Sequence, residues 1–95
     1  MQKTDVIFRK INQGPAKGTI VALLPHEVKD KEGNVTYIAT ETTKRNYYDV
    51  MEQTVSATAE EFSGLENRLV EQGYDLNIVK KINPKKWSNE LAKLN

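Results

Sequence analysis

Thr19-Ile20-Val21-Ala22-Leu23-Leu24-Pro25 is the stretch that decides the fold. Residues 20–24 are apolar without polar alternation, so the run reads as a central strand with both faces covered, stopped by Pro25. On its N-terminal side, Val6-Ile7-Phe8-Arg9-Lys10-Ile11 is β-branched and aromatic, and Asn12-Gln13-Gly14-Pro15-Ala16-Lys17-Gly18 supplies a hairpin loop between the two. On its C-terminal side, Lys29-Asp30-Lys31-Glu32-Gly33-Asn34 is a second polar turn leading into Val35-Thr36-Tyr37-Ile38-Ala39-Thr40, which alternates as a third strand. A three-stranded antiparallel meander follows.

Residues 43–56 fit either period, with Tyr47, Val50, Met51 and Thr54 on a helical stripe and 51–55 able to extend; a helical turn followed by extended chain is expected. Thr58-Ala59-Glu60-Glu61 is a capping box, and Phe62, Leu65, Leu69 and Val70 recur behind it at helical spacing up to Gly73. Gly64 inside this helix costs up to ~1 kcal/mol relative to alanine, which predicts a close approach to the sheet. Tyr74, Leu76, Ile78 and Ile82 alternate with Asp75, Asn77 and Lys81 as a further strand with one face buried, and Asn83-Pro84 opens a second helix carrying Trp87, Leu91 and Leu94 on one stripe. The expected fold is therefore a single α+β domain over 1–95. It has an antiparallel sheet of three to four strands, a helix over 58–72 packed on one face and a C-terminal helix, in the order βββ, irregular segment, αβα.

The 95 residues contain no cysteine, which removes disulfides, thiolate zinc sites and cysteine nucleophiles, so the fold must hold by packing. The first five residues are too charged for a secretory segment, and no apolar run approaches the roughly 20 residues of a membrane span. A cytoplasmic protein with no membrane association is expected, in a host cell's cytoplasm if the chain is phage encoded. The net charge of +1 is unevenly spread, at +3 over residues 1–48, −6 over 49–75 and +4 over 76–95. Such a layout serves either a partner or the pairing of one segment with another.

Several pieces in this order resemble a group of small uncharacterised proteins of gut bacteria, their phages and conjugative elements. They are the Val6-Ile7-Phe8-Arg9-Lys10 strand, the 20–25 strand, Ala57-Thr58-Ala59-Glu60-Glu61-Phe62, and Gly73-Tyr74-Asp75-Leu76 leading to Val79-Lys80-Lys81. The likeness covers about residues 5–82, and segment 26–46 departs from it. It implies a phage or mobile-element setting and no activity; compact proteins of that setting often bind and block.

Catalytic chemistry is poorly provided for. His26 is the only histidine, expected in a turn at the end of the second strand with the carboxylates that could assist it scattered, so neither a metal site nor a catalytic residue is expected, and no cofactor. Gly14-Pro15-Ala16-Lys17-Gly18-Thr19 lacks the contiguous Gly-Lys-Ser/Thr and following helix of a phosphate loop. Glu60 and Glu61 suit the first turn of a helix on dipole grounds alone.

Two groupings remain. Trp87, Leu91 and Leu94 form a narrow apolar stripe on a short helix that must dock on something: its own sheet, a second copy in a homodimer, or a foreign protein. With Tyr47 and Tyr48 they are the expected partner-binding residues. The expected function is a non-enzymatic protein-binding module, encoded by a phage or mobile element, that inhibits or tethers a host protein such as a defence protein. The alternative is a nucleic-acid or nucleotide-binding module in which Lys44, Arg45, Lys80, Lys81, Lys85 and Lys86 neutralise phosphates while Tyr47, Tyr48 and Trp87 offer rings for stacking. The near-neutral net charge and the acidic segment weigh against that alternative.

Overall fold

The computed structural model describes residues 3–94. β1 (Thr4–Ile11) and β2 (Ile20–Val28) pair antiparallel with Ile7 opposite Leu23, β3 (Asn34–Ile38) pairs with β2, and β4 (Thr42–Asn46) pairs with β3. β1 offers its other edge to two short strands. β5 (Thr54–Ser56) lies antiparallel along residues 9–11, and β6 (Leu76–Ile78) lies parallel along residues 4–6. The protein is α+β, as the residue pattern predicts, and its largely antiparallel sheet is larger than three or four strands.

The first hairpin closes where glycine allows it. Gly14 and Gly18 have φ of +78° and +94°, and the Gly18 amide donates to the Ile11 carbonyl at 2.7 Å. β2 does not stop at Pro25: the strand continues to Val28 through a register irregularity between Leu24 and Val28. A bulge is where a strand tolerates a residue without an N–H. The segment of ambiguous period holds the expected helical turn followed by extended chain, as α1 (Tyr47–Gln53) and β5, and is preceded by an edge strand, β4, that the residue pattern does not announce.

Alternation on the strands divides the core in two. Val6, Phe8, Ala22, Leu24 and Ile38 point to one face and are closed over by Leu69 of α2 (Ala59–Glu71), with Phe62 stacked on Phe8 at a centroid separation of 4.4 Å. The capping box forms as the sequence predicts, with Thr58 and Glu61 exchanging hydrogen bonds. At the other end Gly73, at φ +102°, lets the Gly73 amide donate to Val70 and the Tyr74 amide to Leu69, a Schellman closure. Gly64 departs from expectation. A Cβ there would meet nothing within 4 Å, so the glycine faces away from the sheet.

Ile7, Val21, Leu23, Val35 and Tyr37 point to the other face, where Tyr47 and Val50 of α1 cover them together with Val79, Ile82 and Trp87. The expected strand over 74–82 is therefore shorter and of mixed facing. Tyr74 and Leu76 pack under α2, Ile78 is exposed, and Val79 and Ile82 pack on the opposite face. The chain crosses the edge of the sheet at Ile78, which no single alternation can describe. α3 (Pro84–Ala92) follows and docks against β2 of its own fold, and no helix among the described residues is long and apolar enough to cross a membrane.

Candidate functional site: the Tyr48 and Trp87 surface and the His26 network

α1 begins at a fixed point. The Asn46 side chain accepts from the Tyr48 and Asp49 amides at 3.0 and 3.2 Å, and its own amide group donates to the Glu32 carbonyl at 3.1 Å. One residue thus caps the helix and ties it to the β2–β3 turn. That turn is shaped by Asp30, which accepts from the Glu32 and Asn34 amides and from the Asn34 side chain; the Asn34 side chain is the main reason its pKa falls to about 2, with Lys44 assisting. Gly33 completes the turn at φ +91°, and the Trp87 ring lies against it so closely that a Cβ would sit 3.3 Å from the indole.

Three rings meet beside this turn. Tyr47 is buried, its centroid 6.0 Å from Trp87, and its hydroxyl accepts from the Ile82 amide at 3.1 Å. Tyr48 packs edge-on against both, at 5.1 Å from Tyr47 and 6.5 Å from Trp87, and is 57% exposed. Of the expected partner-binding residues, the structure therefore brings Tyr47, Tyr48 and Trp87 together and assigns Tyr47 to the core. Leu91, further along α3, is half-buried and Leu94, in the turn past the helix end, is exposed, and neither belongs to the two core clusters.

The start of α3 is anchored by the one histidine. Asn83 caps the helix by accepting from the Lys85 and Lys86 amides, and its own amide donates to His26 Nε2 at 3.0 Å. His26 Nδ1 lies 2.8 Å from Asp5 Oδ2, so the two partners require the Nδ1–H tautomer, which donates to the carboxylate and accepts from the helix cap. Asp5 also accepts from Asn77 at 2.8 Å and from Lys86 at 3.0 Å. Burial pushes the Asp5 pKa up, but the donors Asn77, Lys86 and His26 together outweigh it and hold the carboxyl below its ordinary value.

His26 is thus inside β2 rather than in a turn, and the carboxylate expected to be remote is its hydrogen-bond partner. Asp5 and His26 are 21 positions apart on neighbouring strands, and the pair carries no local sequence signal. Asp5, His26 and Lys86 of this network line a polar recess of about 630 Å³ together with Glu27 and Lys93. Its chemistry is that of a clip: both imidazole nitrogens are engaged, which leaves neither free to relay a proton.

The basic residues separate. Lys44 is paired with Asp30 at 3.1 Å and Lys86 with Asp5, while Arg45 lies 5.0 Å over the Tyr37 ring. Lys80, Lys81 and Lys85 are exposed on the approach to α3 and its first turn. No family model, curated protein or solved structure matches the chain, so the surface stands on its own geometry.

Proposed function

We propose that the chain is a non-enzymatic binding module that engages a protein partner through the Tyr48 and Trp87 surface. The observation that carries this reading is an aromatic residue exposed by more than half and set edge-on against a tryptophan that also packs on Tyr47 and Gly33. Exposed rings on a rigid frame lose little side-chain entropy on binding and are the residues that dominate protein interfaces. The spent ring nitrogens of His26 support the non-catalytic half of the reading. A phage or mobile-element setting, implied by the resemblance of the strands and helix cap, makes a host protein the natural partner and inhibition the natural outcome.

The test is capture from host-cell extract by the intact chain and by its Tyr48→Ala variant, followed by affinity measurement on the retained protein. Because Tyr48 is exposed, the variant keeps its fold, and binding weakens roughly tenfold or more, as for a hot-spot residue. Retention that is indifferent to Tyr48 removes the proposed surface. Saturable low-salt binding of single strands would instead favour the nucleic-acid alternative, whose Lys44, Tyr47 and Lys86 are engaged within the fold.

A further inference from the structure

The face of the sheet beneath α1 is not completely covered. Beyond the reach of the Trp87 segment, a cleft of about 410 Å³ opens between α1, the β1–β2 loop and the end of β3. Its apolar surface comes from Ile11, Tyr37, Ala39 and Val50, and neither Tyr48 nor Trp87 lines it. This volume falls within the range of small-ligand sites, which run from about 300 to 1,000 Å³.

The walls are held from outside. Arg9 donates to Thr54 Oγ1 at 2.9 Å, to the Thr54 carbonyl at 2.8 Å and to Met51, and Thr54 in turn donates to the Val50 carbonyl at 2.7 Å. Arg68 reaches from α2 to donate to the Ala39 carbonyl. Two of the three arginines are therefore consumed in fixing the cleft. The third, Arg45, lies at the cleft over the Tyr37 ring, and its guanidinium makes no hydrogen bond or ion pair with any described residue. No Asp or Glu lines the cleft although the chain has 13 of them, and no lysine does either.

We propose that this cleft binds a small amphipathic monocarboxylate, with its apolar body on Ile11, Tyr37 and Val50 and its carboxylate on the Arg45 guanidinium. A single guanidinium pairs with a carboxylate through two bonds and neutralises its one charge, whereas a phosphate dianion, though it can be held by the same fork, keeps a net negative charge beside one arginine. The carboxylate is that of a free small molecule or of the C-terminal residue of a peptide, since both present the same group beside an apolar side chain. The assignment is independent of the Tyr48 surface.

The test is an amide chemical-shift titration of the full chain with N-acetyl-phenylalanine, its carboxamide, phenyl phosphate and N-acetyl-glycyl-glycyl-phenylalanine. Saturable shifts at Ile11, Tyr37 and Val50 are expected with N-acetyl-phenylalanine, at least tenfold weaker for the carboxamide and for the Arg45→Gln variant. Tighter binding of the tripeptide assigns the cleft to peptide ends; equal or weaker binding assigns it to small molecules. Equal affinity for acid and carboxamide, preference for phenyl phosphate, indifference to Arg45→Gln, or shifts confined to other residues would each overturn the proposal.

Discussion

The two faces of the sheet are built from the same strands by alternation and are closed in opposite ways. Under α2 a single 13-residue helix with a complete cap at each end brings Leu69 to zero exposure and stacks Phe62 on Phe8. On the other face a seven-residue helix, the crossing segment after β6 and the first turn of α3 cover the strands piecemeal, and α3 contributes no fully buried residue. The first face is closed by one helix and the second by three short pieces, although the strands bury apolar side chains on both. The second leaves an exposed ring at one end and a cleft at the other, which is where a small chain has surface to spare for binding.

The same substitution on the two sides gives the largest contrast. Leu69→Ala removes a side chain with no exposure, against Val6, Phe8 and Leu24, and should cost about 2–5 kcal/mol in urea unfolding. Leu91→Ala, at a half-buried position outside both core clusters, should cost about 1 kcal/mol or less. Equal losses would mean that α3 is as much a part of the folding core as α2, and the division between the faces would fail.

The α2 face and the central strand shared by both faces are also the parts legible in the sequence. Thr58, Glu61, Phe62, Leu69 and Gly73 carry their instructions within one helix, through caps and a 3.6-residue period, and residues 20–24 declare a strand buried on both sides by lacking polar residues. The other face is set by contacts distant in sequence. β4 is Thr-Thr-Lys-Arg-Asn, an edge strand with almost no buried side chain, so it has no apolar pattern to read. The Tyr47 and Trp87 grouping could be suspected from residue type, but which ring is buried depends on Ile82 and Gly33 meeting them.

Between the two faces stands the Asp5 network, joining β1, β2, β6 and the start of α3. Because the folded pKa of Asp5 lies below its unfolded value of about 3.9, its contribution is fully present above that value. It is lost as pH falls through the folded pKa. Asp5→Asn should cost about 1–3 kcal/mol at neutral pH. The difference between wild type and variant in urea midpoint should shrink as pH is lowered from about 5 to 2. A difference that stays constant over that window would show that the carboxylate charge is not what fastens α3 to the sheet.

Gly64 supplies the smallest and most pointed comparison, because it is the one flaw in an otherwise well-specified helix. A glycine in a helix interior is less favourable than alanine by up to about 1 kcal/mol, through the backbone freedom it surrenders on folding. Close packing on the sheet would justify that cost, but the space beside Gly64 is open for 4 Å and its φ is not positive, so alanine fits without displacing a neighbour. Gly64→Ala should therefore raise the unfolding free energy by about 0.5–1 kcal/mol. Thermal and urea unfolding should agree on that gain, with affinity at Tyr48 and at the Arg45 cleft untouched, since both lie on the opposite side of the sheet from α2. If alanine at this position instead weakens binding of a partner, the exposed side of α2 is itself a contact surface that needs a residue without a side chain, and the placement of binding on the opposite face alone would have to be redrawn.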